Sequence, residues 1–410
     1  MSARARANGE GSIFPYRNGF AAYVWASRPD GRRYRKYVYG KTRDEVHDKW
    51  IDLQKKAKDG PITSSDITLG AYLDYWLREV IKPNRAPHTY SSYEGFVRLH
   101  IAPGLGDKKL SKLQTQPRVV QEWINKVARS CRCCVQGLDA RRPEHARRCC
   151  ARSGGQCCES YLTARTVSDI RACLRSALSS AIDDELITRN VAKSVKLPKI
   201  RRAKRRRWTT EQARAFLESA RSERDPLYAA YVLVLVLGMR KGEVLGLPDD
   251  AVDFDAGELV IGFQLQRIDG KLLHRETKSE ASDDTLPLPD IAAMALRDRL
   301  AARERDRAAV GEVWQGAPLM FTTRYGRPVE PRNFNRSWDA RCRKAGVPKI
   351  TVHDGRRTCG SLLADLDVHP RVAMRILRHA QFAVTMEIYT DVSSEATRAG
   401  LKKLGESLDG

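Results

Sequence analysis

The sequence lacks any run approaching the roughly 18 consecutive apolar residues that a membrane-spanning helix needs. Its opening stretch, MSARARANGEGSIF, contains no apolar signal segment. Neither export nor membrane insertion is expected. Acidic charge is scarce: 50 Asp and Glu face 73 Lys and Arg, a net charge of +23. Such an excess points to a polyanionic partner, most often nucleic acid. Internal repeats and long low-complexity tracts are missing too. With 42% hydrophobic and 30% charged residues over 410 positions, wholesale disorder is excluded and two or three folded domains are expected. Cysteine is sparse except in one place, where seven of the ten fall between residues 131 and 158.

Residues 12–57 open with three β-rich runs separated by Arg17-Asn18-Gly19 and Pro29-Asp30-Gly31, which predicts a three-stranded sheet. Thr42 followed by Glu45 reads as a capping box. The spacing of Val46, Trp50 and Leu53 then lays a helix on that sheet. Residues 1–60 carry 14 basic and 7 acidic side chains, with Tyr34, Tyr37 and Tyr39 interleaved among Arg33, Arg35 and Lys36. This pattern suits a sheet face laid on DNA, the alternative being an ordinary solvated basic face. Residues 65–200 show helical periodicity from Leu69 to Ile182, with a helix break expected at Pro103-Gly104 and a Cys-rich insertion over 131–160. The basic run RRAKRRR at 201–207 reads as a linker touching phosphates through Arg205, Arg206 and Arg207. From Trp208 a larger mixed domain begins, with a second capping box at Thr209 and Gln212 and a buried helix in YAAYVLVLVLG. A hairpin follows at Asp269-Gly270.

Five short blocks in this last domain carry polar residues out of keeping with their surroundings. They are LGMRKGE with Arg240, Thr277-Lys278-Ser279, HDGRRT with His353 and Arg356, Leu377-Arg378-His379, and Tyr389 ten residues further on. Taken one at a time, each has a structural explanation. In this order they resemble the tyrosine recombinases, or phage integrases, and in particular the large integrases of actinobacterial phages and integrative elements. The resemblance covers nearly the whole chain.

It implies a multidomain α+β protein: an arm-type DNA-binding sheet plus helix (1–60), a helical core-binding bundle (65–200), the basic linker (201–207) and a mixed α/β catalytic domain (208–402). The implied function is site-specific integration or excision of a mobile element. Tyr389 would attack a DNA phosphodiester to form a 3′-phosphotyrosine and release a 5′-hydroxyl. Arg240 and Arg356 would hold the non-bridging oxygens with forked donors, and His379 would donate to the same phosphate. Lys278 would protonate the leaving oxygen and His353 would assist as an acid/base partner. Glu243 would position the site. The family commonly has Gly at the position of Arg378, and Leu and His where Gly355 and Arg357 flank Arg356; Gly355 is expected to loosen the turn before Arg356.

No cofactor is required for this chemistry. The implied partners are double-stranded DNA attachment sites, three further copies of the chain in a homotetramer, and an excisionase or DNA-bending host factor; the implied location is the cytoplasm, on the nucleoid. Two rival readings are a type IB topoisomerase, disfavoured by the separate arm module, and a DNA-binding regulator that kept the fold without catalysis, disfavoured by Tyr389 and both arginines. The resemblance does not cover the Cys-rich insertion. There Cys131, Cys134, His145, Cys149, Cys150, Cys157 and Cys158 offer ligands for a structural Zn²⁺ of about one equivalent, the alternative being a reduced basic loop. The vicinal pairs depart from zinc-ribbon spacing, so one cysteine of each pair is expected to ligate.

Overall fold

The computed structural model describes residues 13–27, 33–58, 67–199, 206–277 and 284–378, with isolated residues beyond 380. Two compact units divide the chain between Arg202 and Ala203. Among the described residues, no helix is long and apolar enough to cross a membrane.

In the first unit, β1 (Phe14–Tyr16), β2 (Gly19–Ser27) and β3 (Arg33–Gly40) form the expected antiparallel meander. The first turn places Arg17 at φ 54°, in the left-handed region that tight hairpins demand. The second turn, at Pro29-Asp30-Gly31, lies outside the described residues. The helix Arg43–Lys58 covers one face of the sheet and buries Val46, Trp50 and Leu53. Its cap differs from the expected box. Thr42 Oγ1 accepts the Glu45 N–H at 3.2 Å, but Glu45 reaches back to the amide of Lys41, at 2.9 Å, rather than that of Thr42.

A helical bundle follows, with its core built from Leu69, Tyr72, Trp76, Ile101, Ile170 and Leu174 among others. Thr68 caps its first helix by accepting the Ala71 N–H at 3.3 Å. Two helices widen into π-helical turns, Trp76–Ile81 and Val97–Ile101, each just ahead of a proline, Pro83 and Pro103. A proline lacks its N–H and crowds the preceding turn, so a wider turn lets the helix continue where a break was expected. The second of these helices runs on to Leu105. Gly104 sits at the end of that run because a Cβ there would lie 2.4 Å from the Trp123 ring. The Trp123 indole N–H also donates to the His100 carbonyl at 3.2 Å. The insertion connects the helices Pro117–Arg129 and Ala164–Asp183.

The second unit is built around the helix Tyr228–Leu235, all of whose residues after Tyr228 are buried. Trp208 stacks on Trp338 with ring centroids 5.6 Å apart, and Phe216 and Tyr231 close the same aromatic cluster. The Thr209–Gln212 capping box forms as expected. One sheet has the order β4 (Val252–Asp253), β5 (Glu258–Ile261), β8 (Asp284–Pro287); β6 (Phe263–Ile268) and β7 (Lys271–Glu276) make a separate hairpin. Asp269 and Gly270, at φ 47° and 77°, form its tip. The helices Asp290–Val310, Pro331–Lys344, Val352–Asp365 and Pro370–Leu377 complete the unit.

Candidate active site

The buried helix ends before Gly238, whose φ of 58° turns the chain so that Arg240 becomes the N-cap of the helix Lys241–Leu245. A Cβ at Gly238 would meet Leu377 at 2.5 Å, so this left-handed glycine also lets the 377–378 corner approach. Glu243, one turn into the short helix, is buried. Its carboxylate accepts the Arg240 backbone N–H at 2.8 Å and the Arg240 guanidinium at 2.6 Å. It also accepts Arg378 Nη2 at 2.6 Å.

Arg356 projects from the helix Val352–Asp365, which starts with a capping box between Thr351 and Asp354. Its guanidinium donates to the Gly238 carbonyl at 2.5 Å and to the Leu377 carbonyl. Arg240 Nη2 donates to the Arg378 carbonyl at 3.3 Å. Three chain segments distant in sequence are thereby tied together by arginine donors and backbone carbonyls.

The electrostatics are lopsided. Arg356 and Arg378 are both 3% exposed, Arg240 opens to solvent, and the carboxylate hydrogen-bonded within the group is Glu243. Burial drives the Arg356 guanidinium down to about 9, and the neighbouring Arg240 charge pushes the same way. Burial lowers Arg378 as well, opposed by Glu243. Burial by itself would raise the Glu243 carboxyl, but Arg378 and Arg240 together hold it below its usual value. The cluster of three arginines and one carboxylate therefore carries a net +2 beside solvent, a site fit for a doubly contacted anion such as a phosphodiester.

His353 stands on the first turn of the Arg356 helix and is exposed. Lys278, His379 and Tyr389 lie outside the described residues. Arg378 is the residue whose part in the site the sequence understates, since there it is marked only as a departure from the family's usual glycine. It adopts φ 49° and ψ 53° as the left-handed C-cap of Pro370–Leu377, where glycine is favoured, and turns its side chain inward to Glu243. Gly355 also departs from expectation. It lies within the helix, where a Cβ would meet the Trp338 ring at 2.8 Å, so its role is close packing and not a loosened turn.

Residues 206–396 match the model of the phage integrase family, and residues 68–128 match that of the phage integrase N-terminal SAM-like domain. The chain is a tyrosine recombinase of the phage integrase family. The recombinase is 23% identical to the XerC-like tyrosine recombinase of Caldanaerobacter subterraneus subsp. tengcongensis over 88% of this chain and 89% of that protein. It is 25% identical to an integrase of Streptomyces ambofaciens over 88% and 86%. In fold it is similar to the Tn1549 transposon integrase in complex with transposon right-end DNA, with TM-score 0.62 and 19% identity over 83% of this chain and 100% of that one. The SAM-like match ends before the Cys-rich insertion begins.

The proposed DNA-contacting residues divide differently from expectation. Successive residues of a strand face opposite sides. Tyr37, Arg35 and Tyr39 share the uncovered face of the sheet with Tyr16, Tyr23 and Trp25. Arg35 lies 4.9 Å from the ring centroids of both Tyr23 and Trp25. Lys36 pairs with Val24 on the helix-covered side, so it does not share a face with Arg35. The Arg33 side chain and Arg205 lie outside the described residues; Arg206 and Arg207 are exposed, and Arg207 pairs with Asp365 at 3.5 Å. The exposed aromatics Trp25, Tyr37 and Tyr39 complete a face that charge alone does not reveal.

None of the clustered cysteines is joined in a disulfide. Cys131, Cys134, Cys150 and Cys157 form one group and Cys133, Cys149, Cys150 and Cys158 another, the sulfurs of each group within 4.8 Å of one another. His145, an expected ligand, is exposed on the short turn Glu144–Ala146 and belongs to neither group. Cys133, omitted from the expected set, belongs to the second.

Proposed function

We propose that this recombinase cleaves and rejoins DNA at specific sites to integrate or excise a mobile element, through a covalent 3′-phosphotyrosine on Tyr389. The observation that carries this reading is the Arg240–Glu243–Arg356–Arg378 cluster, a preorganised +2 site at the residues where the family's phosphate-binding motifs fall. Attack by Tyr389 Oη forms a P–O bond to the protein as the bond to the 5′-oxygen breaks. The phenolic proton leaves with help from His353, and Lys278 supplies a proton to the 5′-oxygen. Arg240, Arg356 and His379 stabilise the charge that grows on the non-bridging oxygens. The bond energy is retained in the phosphotyrosine, so a second 5′-hydroxyl can reverse the step without a nucleotide cofactor.

In this reading residues 1–60 bind arm-type DNA, 65–200 the core site, 201–207 the backbone between them, and 208–402 perform the chemistry. The partners are duplex attachment sites and three further protomers, with an excisionase or DNA-bending factor setting direction, and the reaction takes place on the nucleoid. Tyr389→Phe tests the nucleophile. With a nicked suicide substrate it should bind DNA as the wild type does and give no covalent adduct on a denaturing gel; a persistent adduct assigns the nucleophile elsewhere.

A further inference from the structure

The insertion presents a folding problem. Across residues 131–160 the buried side chains are Cys131, Cys133 and Asp139, while Val135 is 61% exposed. A segment of this length without an apolar core needs another source of order. The thiols themselves are spaced in a telling way. Within the two groups, Cys133–Cys149, Cys134–Cys157 and Cys150–Cys158 have Sγ–Sγ distances of 3.7 Å and Cys150–Cys157 is 4.0 Å, while Cys131–Cys158, which joins one group to the other, is also 3.7 Å. These are far beyond the roughly 2.05 Å of a disulfide. A tetrahedral zinc with Zn–S bonds of about 2.3 Å sets its sulfurs about 3.8 Å apart.

We propose that the insertion is a binuclear zinc cluster with seven thiolate ligands. Cys131, Cys134, Cys150 and Cys157 hold one ion; Cys133, Cys149, Cys150 and Cys158 hold the other; Cys150 bridges. Two tetrahedra sharing one corner use seven ligands, which is the number of cysteines present. The arrangement also accounts for the vicinal pairs that no single zinc ribbon explains. Adjacent side chains leave the backbone in different directions, and here Cys133 and Cys134 go to different ions, as do Cys157 and Cys158. Cys149 serves one ion and Cys150, between the two groups, serves both.

Two further features fit this assignment. Asp139 is buried and its carboxylate accepts the backbone N–H groups of Arg148, Cys149 and Ala151 at 3.0–3.1 Å, fixing the loop that presents Cys149 and Cys150. Backbone N–H groups also point at the sulfurs, as Glu159 does toward Cys157 at 3.4 Å. Such outer contacts orient metal ligands. The charges balance as well: seven thiolates and two Zn²⁺ sum to −3, against a side-chain balance of +3 from six arginines and three carboxylates in residues 131–160. All-thiolate tetrahedral sites select zinc among the common divalent ions. Loading displaces seven thiol protons to solvent and involves no redox change.

Metal analysis of the full-length protein, purified under reducing conditions without chelator, tests the proposal independently of recombination. Two equivalents of zinc per chain are expected, and cadmium replacement should give two ¹¹³Cd resonances, both in the four-sulfur range and coupled through the shared thiolate. Cys134→Ser and Cys149→Ser should each lower the zinc content toward one equivalent, whereas His145→Ala should leave two. One equivalent in the wild type, a single cadmium resonance, iron in place of zinc, or a metal-free protein with three disulfides and one free thiol in the cluster would each overturn it. The wild-type stoichiometry and the cadmium spectrum do not depend on any variant folding.

Discussion

Arg378 carries two opposed energetic effects. A non-glycine residue in the left-handed region costs roughly 1–2 kcal/mol, yet removing one partner of a buried ion pair costs about 3–5 kcal/mol. Glu243 would retain Arg240 after such a loss, which discounts the second figure. Arg378→Gly should therefore lower stability by about 2 kcal/mol, read as a shift of the urea midpoint; a variant more stable than the wild type would mean the ion pair contributes little. Arg240 and Arg356 are the two arginines assigned to the phosphate in the proposed reaction. Arg240→Ala and Arg356→Ala should each slow single-turnover cleavage at saturating protein by roughly 10²–10³-fold, with a much smaller loss of DNA binding. Unchanged rates would assign both arginines to holding the 238 and 377 corners together. None of the three could be graded from sequence in this detail. The motifs marked Arg240 and Arg356, but that Arg378 turns inward depends on a backbone conformation that only packing selects.

At the level of elements, the first sheet shows how alternation limits a charge-based reading. Arg35 and Lys36 look equivalent in sequence, yet the helix Arg43–Lys58 covers the side to which Lys36 belongs. The uncovered face joins Arg35 to Tyr23 and Trp25 by cation–π interactions, and this is the face proposed to meet arm-type DNA. In gel-shift titrations on arm-type DNA, Arg35→Ala and Trp25→Ala should each weaken binding several-fold, and Lys36→Ala should change it little. Equal losses in all three would mean that overall charge matters and the face does not. The helices tell a similar story. Their apolar stripes and the Thr68 and Thr209 caps follow from local pattern, whereas passage through Pro103 required a π turn and the close seat of Trp123 on Gly104.

For the whole molecule, the +23 charge bears on affinity and its salt dependence more than on chemistry. Deleting residues 1–60 should leave a core-site suicide substrate able to form the Tyr389 adduct while abolishing recombination that needs distant arm sites. Neutralising Arg205, Arg206 and Arg207 should weaken binding to every duplex and flatten the salt dependence by roughly 0.9 log unit for each phosphate no longer neutralised. Salt titrations on core-only and arm-plus-core DNA separate the two variants. If the deletion weakens core-only binding as strongly as arm-containing binding, the N-terminal module is not an arm reader.

Local order along the chain was enough to establish the three N-terminal strands, the helical stretch that follows them, the Thr209–Gln212 capping box, the hairpin at Asp269-Gly270 and the five ordered motifs of a recombinase. These features depend on residues a few positions apart, or on a signature read in linear order. Tertiary structure alone decided which side chains share a surface. It brought Glu243 between Arg240 and Arg378 across more than a hundred residues, set Gly355 against Trp338, and removed Lys36 from the face of Arg35. It also sorted the cysteines into two groups meeting at Cys150 and left His145 outside them. The reason is directional: spacing says how far apart two residues can be, while a site depends on where each side chain points once its backbone has been fixed by everything packed around it.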